Sequence, residues 1–425
     1  MKERKAPDHT PAVKPVEKIE LSEKHIKLRI VLVILLIVAA LCAFAAAILF
    51  WRSTDAGWRQ IAASTGETNC SGEFIFFYEI SEGGLKGTEE LEAVSAAYGE
   101  AAVKAYRLFE PSVRFEGMRN LASVNSAPNQ TVTVDETLYN ALELVQRFDV
   151  RLLYYAPVYA LYDSLFYSLN DELAAEYDPY RSEGTAELVA RIAGFVNDGE
   201  SICLELLGEG KVRLKVSEEY TSFLHMNGFA AEDGTLTYLD FFFLRNAFAI
   251  DLIAEHMTAA GFTHGQISSL DGYSRVLKDG GTFSMDVYDA AEEGVWLAGK
   301  MTGEGAMSAV RLRSHSVGTS GTGHFYTFAD GQTAHPYIDT ADGLYKSCIG
   351  DLIAYSHGTS CAEIVVSLIP IYTAESFDGA KTEALKEQGI CSVYCLGREI
   401  RCTGTDVGIT AFSYDDRVYT VRQIG

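Results

Sequence analysis

Positive charge is what this 425-residue sequence is short of: 35 Lys and Arg stand against 58 Asp and Glu, a formal charge of −23. Phosphate neutralisation supplies most nucleic-acid affinity, so a chain this acidic excludes a nucleic-acid binder. A phosphate-bearing ligand would need local N–H donors or a metal ion. The common local signatures of chemistry are missing too: no CxxC pair, no HExxH, no GxGxxG and no zinc-like Cys/His spacing. No repeat of solenoid length and no low-complexity tract occurs. Apolar residues make up 48% and charged residues 22%, the composition of a globular protein with a full core.

One long apolar run is present. Ile30 to Trp51 gives 22 consecutive residues without a charge. As a helix it spans about 33 Å, enough for a hydrocarbon core of roughly 30 Å. Eight Lys and Arg precede it, with Lys24, Lys27 and Arg29 near its edge, and only Arg52 and Arg59 occur in the twenty residues after it. This asymmetry places residues 1–29 in the cytoplasm as a tail and residues beyond Trp51 outside, with Ile30–Trp51 as a single-pass signal anchor in the cell membrane. Cleavage at Ala43-Phe44-Ala45 is the alternative, disfavoured because the apolar run continues past it. A lipid anchor at Cys42 is weaker still, since Leu41 precedes it.

Without the tail, 27 basic residues face 53 acidic ones. Seven cysteines follow the anchor: Cys70, Cys203, Cys348, Cys361, Cys391, Cys395 and Cys402. An odd number cannot all pair internally, and the spacing reads as buried thiols rather than a disulfide scaffold or a metal site.

Residues 52–70 read as a polar linker before a domain over 71–425. Its first strand is Phe74–Ile80, followed by a long amphipathic helix with Leu91, Val94, Tyr98, Ala102, Tyr106 and Phe109 on one face. A second helix starts near Asp135, with Leu138, Leu142 and Val145 inward. The aromatics of 154–166 read as core. Ile202–Leu207 and Val212–Val216 form a hairpin. Tyr238–Gly261 reads as a strand end feeding a helix, where Asp251 interrupts the apolar side as a functional carboxylate or a cap. Short strands and glycine turns continue to about Tyr326. A strand at Leu352–Tyr355, helices at Cys361–Leu368 and Ser376–Gln388, and closing strands complete a mixed α+β order.

Three constellations could carry chemistry. Gly318-Thr319-Ser320-Gly321-Thr322-Gly323 can aim N–H groups and hydroxyls at an anion, or be an ordinary turn. His335 and Asp339 stand four apart before Asp342-Gly343. Glu363 and Ser367, at i and i+4 on a helix, put two oxygens on one face, which suits Mg²⁺.

In this order and spacing the chain resembles the ApbE family of flavin transferases over most of residues 71–425. The family's D-L-G-G-I-A-K-G-Y-A-V-D is similar to Asp240–Asp251, DFFFLRNAFAID; its A-V-A-T-S-G to Ser316–Gly321, SVGTSG. Its H-H-I-I-D-P-x-T-G resembles His335–Gly343, HPYIDTADG, and its A-D-A-L-S-T helix resembles Ala362–Ser367, AEIVVS. Asn125 matches the Asn of an upstream S-x-L-x-x-L-N turn. The resemblance implies a two-lobed α+β ectodomain that binds FAD in a cleft. It also implies Mg²⁺ bridging the pyrophosphate and passage of FMN to a Thr or Ser of an extracytoplasmic target protein. It places Thr319, Ser320 and Gly321 at the flavin phosphates and His335 as base or flavin contact with Asp339 as its orienting partner. Glu363 and Ser367 become the metal ligands, and Asp251 a structural carboxylate beside the cofactor cleft.

The departures are specific. The family's Gly-Gly is Phe242-Phe243 and its Lys-Gly is Asn246-Ala247. Its N-x-G-G-D turn is Ser268 to Gly272, its early Gly-Thr is Gly72-Glu73, an upstream carboxylate is Tyr155, and its second His is Pro336. Side chains where a backbone must approach a ligand narrow the pocket. Two readings follow: a membrane-anchored flavin transferase using FAD and Mg²⁺, or a non-catalytic ApbE-like flavin-binding or protein-interaction module.

Overall fold

A computed structural model describes residues 31–32, 34–43, 54–66, 70–291, 294–316, 324–414 and 416–424. Residues 31–32 and 34–43 are helical and exposed. Among the described residues no helix is long and apolar enough to cross a membrane, and the remainder of the expected anchor lies outside them.

The domain is built on a nine-stranded sheet. Its order is Gly57–Ile61, Phe74–Ile80, Gly265–Ser269, Tyr273–Val276, Met307–Arg313, Asp351–Ser356, Cys391–Leu396, Glu399–Cys402 and Thr420–Gln423. Neighbours are antiparallel except the last pair, which is parallel. Strand Asp351–Ser356 is buried along its whole length. The two-residue period sends Leu352 and Ala354 into the larger core and Ile353 and Tyr355 into a second one. Helices Arg245–Ala259 and Cys361–Tyr372 cover the first face. The long hairpin Thr282–Ala291 and Gly294–Glu304, joined by Gly408–Ala411, packs on the other. A further three-stranded sheet, Thr131–Thr133, Lys211–Val216 and Ile202–Leu206, contains the expected hairpin.

The apolar stripe after the first strand folds as Leu85–Phe109, burying Val94, Tyr98, Ala102 and Phe109. Gly99 interrupts it because a Cβ there would collide with the Ser64 carbonyl of an extended segment laid along the helix. That segment belongs to residues 52–70, expected as a linker. Instead Gly57–Ile61 pairs with Phe74–Ile80 and forms the sheet edge, since the backbone groups of one strand need partners on the next. Asp135 caps Glu136–Phe148 by accepting the Thr137 N–H at 2.8 Å.

Two boundaries differ from expectation. No strand forms at 238–241. Asn125 satisfies that backbone instead, accepting from the Tyr238 and Leu239 N–H groups at 3.3 and 2.9 Å and donating to the Leu239 carbonyl at 2.9 Å. The expected helix Ser376–Gln388 begins later, at Gly379–Ala384 behind the Asp378 cap, and tightens into a 3₁₀ turn, Leu385–Gln388, closed by Gly389 at φ +75°.

Candidate functional site

Helix Arg245–Ala259 begins where the family motif predicts a ligand, and carboxylates gather there. The Asn246 amide donates to Glu73 and, at 3.0 Å, to Asp271. Arg245 lies 3.8 Å from Glu73. Burial pushes the carboxyls of Asp163, Asp240 and Asp271 up, that of Asp240 to about 6. One oxygen of Asp271 is buried without a hydrogen-bond partner. Glu73 and Asp271 stand far apart in sequence, so no spacing rule could have joined them to Asn246.

Next to it the space is filled with rings. Phe242 adopts φ +42°, a conformation that favours glycine, and stacks on Tyr159 with centroids 4.4 Å apart and planes 12° apart. Phe243 meets Tyr337 edge-on at 5.5 Å. Gly343, at φ +75°, lies against Tyr155: a Cβ would come within 2.7 Å of its ring. The Tyr155 hydroxyl donates to the Thr340 carbonyl at 2.9 Å, so it ties the HPYIDTADG segment to the helical layer.

His335 is 3% exposed, surrounded by the rings of Tyr337, Tyr345 and Tyr372 at 5.6, 5.2 and 6.3 Å. Its Nδ1 has no partner among the described residues, and burial pushes the imidazole down to about 3. Asp339 does not orient it. The Asp339 carboxylate pairs with Lys346 at 2.7 Å and accepts the Ala341 N–H at 2.9 Å, because the tight turn to Gly343 points it back along its own loop.

Asp251 serves as a cap from a distance. It accepts the N–H groups of Cys361 and Ala362 at 3.1 and 2.8 Å and holds Arg275 at 3.0 Å. Burial pushes its carboxyl up to about 6, with Arg275 opposing. It thereby fixes the start of helix Cys361–Tyr372, which carries Glu363 and Ser367. The Ser367 hydroxyl donates to the Glu363 carbonyl at 2.7 Å. Among the described residues no group of three His, Cys, Asp or Glu could hold a metal ion. Thr319, Ser320 and Gly321 lie outside the described residues. The described cysteines are all free thiols, with Cys70, Cys361, Cys395 and Cys402 buried.

Of the motif positions described, Asn246 is tied to Glu73 and Asp271, and Phe242, where the family has glycine, is stacked on Tyr159. Sequence reasoning also missed the ion pair beneath this end of the sheet. Arg311 grips Asp351 with two bonds of 2.6 and 2.8 Å, and both side chains are buried.

No family model matches the chain, and no curated protein matches it. Solved structures do. The ApbE protein of Thermotoga maritima is 12% identical, with 84% of this chain and 97% of that one covered and a TM-score of 0.52. Flavin transferase ApbE of Vibrio cholerae is 9% identical, with coverages of 84% and 98% and a TM-score of 0.49. Flavinyl transferase ApbE of Pseudomonas stutzeri is 10% identical, with coverages of 84% and 95% and a TM-score of 0.46. Identities this low speak to architecture rather than activity. The mixed α+β domain of this chain has the ApbE fold.

Proposed function

We propose that this is a non-catalytic ApbE-like module, held outside the cell membrane by Ile30–Trp51, which binds a partner rather than transferring FMN. The observation that carries the reading is His335. A general base needs an affinity for protons near the working pH and reach to a substrate. An imidazole at about 3, dry and walled in by three tyrosines, has neither. The carboxylates around Asn246 support the same conclusion. A transferase reading is favoured by the placement of Glu363 and Ser367 one turn apart on a helix, the arrangement that would hold Mg²⁺ and with it a pyrophosphate.

One experiment separates the two. The full chain in detergent is mixed with FAD and Mg²⁺, desalted, and read by absorbance, with AMP release followed in parallel. A colourless, folded protein and no AMP are expected. Steady AMP release that Glu363→Ala abolishes would replace this reading with the transferase.

A further inference from the structure

The face of the nine-stranded sheet that looks away from its helices is only partly covered. The hairpin Thr282–Ala291 and Gly294–Glu304 packs over the half that carries Val276, Ala309, Ile353 and Tyr355. On the first two strands the face is open. The two-residue period sends Ile61, Phe76, Tyr78 and Ile80 into the core beneath the helices and turns Trp58, Gln60, Ile75, Phe77 and Glu79 the other way. Trp58 and Phe77 are each 44% exposed. They are diagonal neighbours, since Trp58 pairs with Glu79 and Gln60 with Phe77. Leu85, 51% exposed, stands where the chain enters the fold: Thr54 and Gly84 exchange backbone hydrogen bonds of 3.3 and 2.8 Å, and Leu85 follows Gly84.

Exposed apolar side chains scattered singly are ordinary, but these three gather around one point. Thr54 comes three residues after Trp51. An extended chain spans at most about 3.6 Å per residue, so Thr54 lies within about 11 Å of the end of the apolar run. The headgroup layer is itself roughly 5–8 Å deep. With Ile30–Trp51 as the membrane anchor, a reading on which this inference rests, the first strand therefore starts beside the lipid surface. The ions around the patch are paired: Arg59 with Asp55 at 3.5 Å and Lys86 with Glu82 at 2.9 Å. Glu79 is partly exposed and keeps its access to water.

We infer that this open face docks on the bilayer, with Trp58, Phe77 and Leu85 in the interfacial layer, and so orients the domain on the membrane that anchors it. Tryptophan favours that layer because one end of its ring system is apolar and the other donates a hydrogen bond. A tether this short keeps the face at a high effective concentration beside the lipid, so a small apolar patch suffices. The contact is with uncharged surface, which suits a domain of acidic balance.

The test reads tryptophan emission of the full chain in phosphatidylcholine nanodiscs, with acyl chains brominated near the headgroup as quencher. The chain has three tryptophans, Trp51, Trp58 and Trp296. Trp296 lies against the Arg417 guanidinium, 3.5 Å from its ring centre, and gives a constant background. Subtracting the emission of Trp58→Phe from that of the parent isolates Trp58, and Trp58→Tyr supplies the same subtraction from a second variant. Brominated lipid should remove most of this difference, and unbrominated lipid none of it. A Trp58 emission that bromine leaves unchanged overturns the inference, whether water, a protein partner or a second copy covers the face. The anchor is read separately, because the emission left in Trp58→Phe includes Trp51. Quenching of that remainder with Trp58 untouched keeps the anchor and rejects the docking; an unquenched remainder rejects the anchor and the docking with it.

Discussion

The two ends of strand Asp351–Ser356 have been built on opposite terms. Toward the Asp351 end the motif positions Phe242, Asn246 and His335 sit among aromatic rings and internal pairs, and a cavity of about 1020 Å³ opens beside Ser314, His315, Thr333 and Gly350. At the Ser356 end, where Asp251 caps Cys361 and Ala362 and holds Arg275, a cleft is lined by groups that solvent can reach. Each end also uses a buried tyrosine or arginine to hold an aspartate: Arg311 holds Asp351, and Tyr355 holds Asp406. The difference lies in what surrounds the pair. A buried ion pair has nothing else to turn to, whereas the half-exposed Asp406 keeps water and His357 as alternatives.

The largest way to break this comparison is Arg311→Ala. It leaves Asp351 charged, buried and unpaired, at a cost of about 3–5 kcal/mol. Chemical denaturation at pH 7 measures it; a loss under 1 kcal/mol would mean that water reaches the pair.

His335 gives a smaller and pH-dependent effect. In the unfolded chain its imidazole takes a proton below about 6.5, while the folded one stays neutral to about 3. A lowered folded value binds fewer protons, so stability falls as the pH drops through this window. Between pH 6.5 and 4.5 the expected loss is about 2–3 kcal/mol. Asp240 and Asp251, raised to about 6, work in the opposite direction, so the parent curve alone does not isolate the histidine. The difference between the parent and His335→Gln does. If the two curves stay parallel, His335 is hydrated and the proposed closure fails with it.

Tyr355→Phe should cost least, about 0.5–1.5 kcal/mol for one hydrogen bond to a carboxylate that keeps other partners. An effect as large as that of Arg311→Ala would erase the contrast between the ends.

Much of the scaffold was legible in the sequence. Phe74–Ile80 alternates, the Leu85–Phe109 stripe repeats at helical spacing, and Asp135 stands where a cap must stand; each reports a local backbone preference. The helix at Arg245–Ala259 was legible too, but the chain leading into it was not. Asn125 replaces a neighbouring strand there from more than a hundred positions away, a substitution that no local pattern announces. Among site residues the sequence marked Asp251 as out of place on an apolar face, and the structure supplies the reason in the two N–H groups it caps. The family resemblance implied Asp339 as the orienting partner of His335. The turn ending at Gly343 sends Asp339 to Lys346, and spacing alone could not show which way that loop folds.

The sequence by itself determined the acidic balance, the long apolar run at the N-terminus and the α+β order, because these depend on composition and on periods of two and 3.6. Only the tertiary structure decided that Asn246 would sit between Glu73 and Asp271, that Phe242 would lie on Tyr159, and that His357 would meet Asp406 beside Lys386. Those contacts join residues brought together by sheet order and helix packing, and burial then sets which of their charges survive.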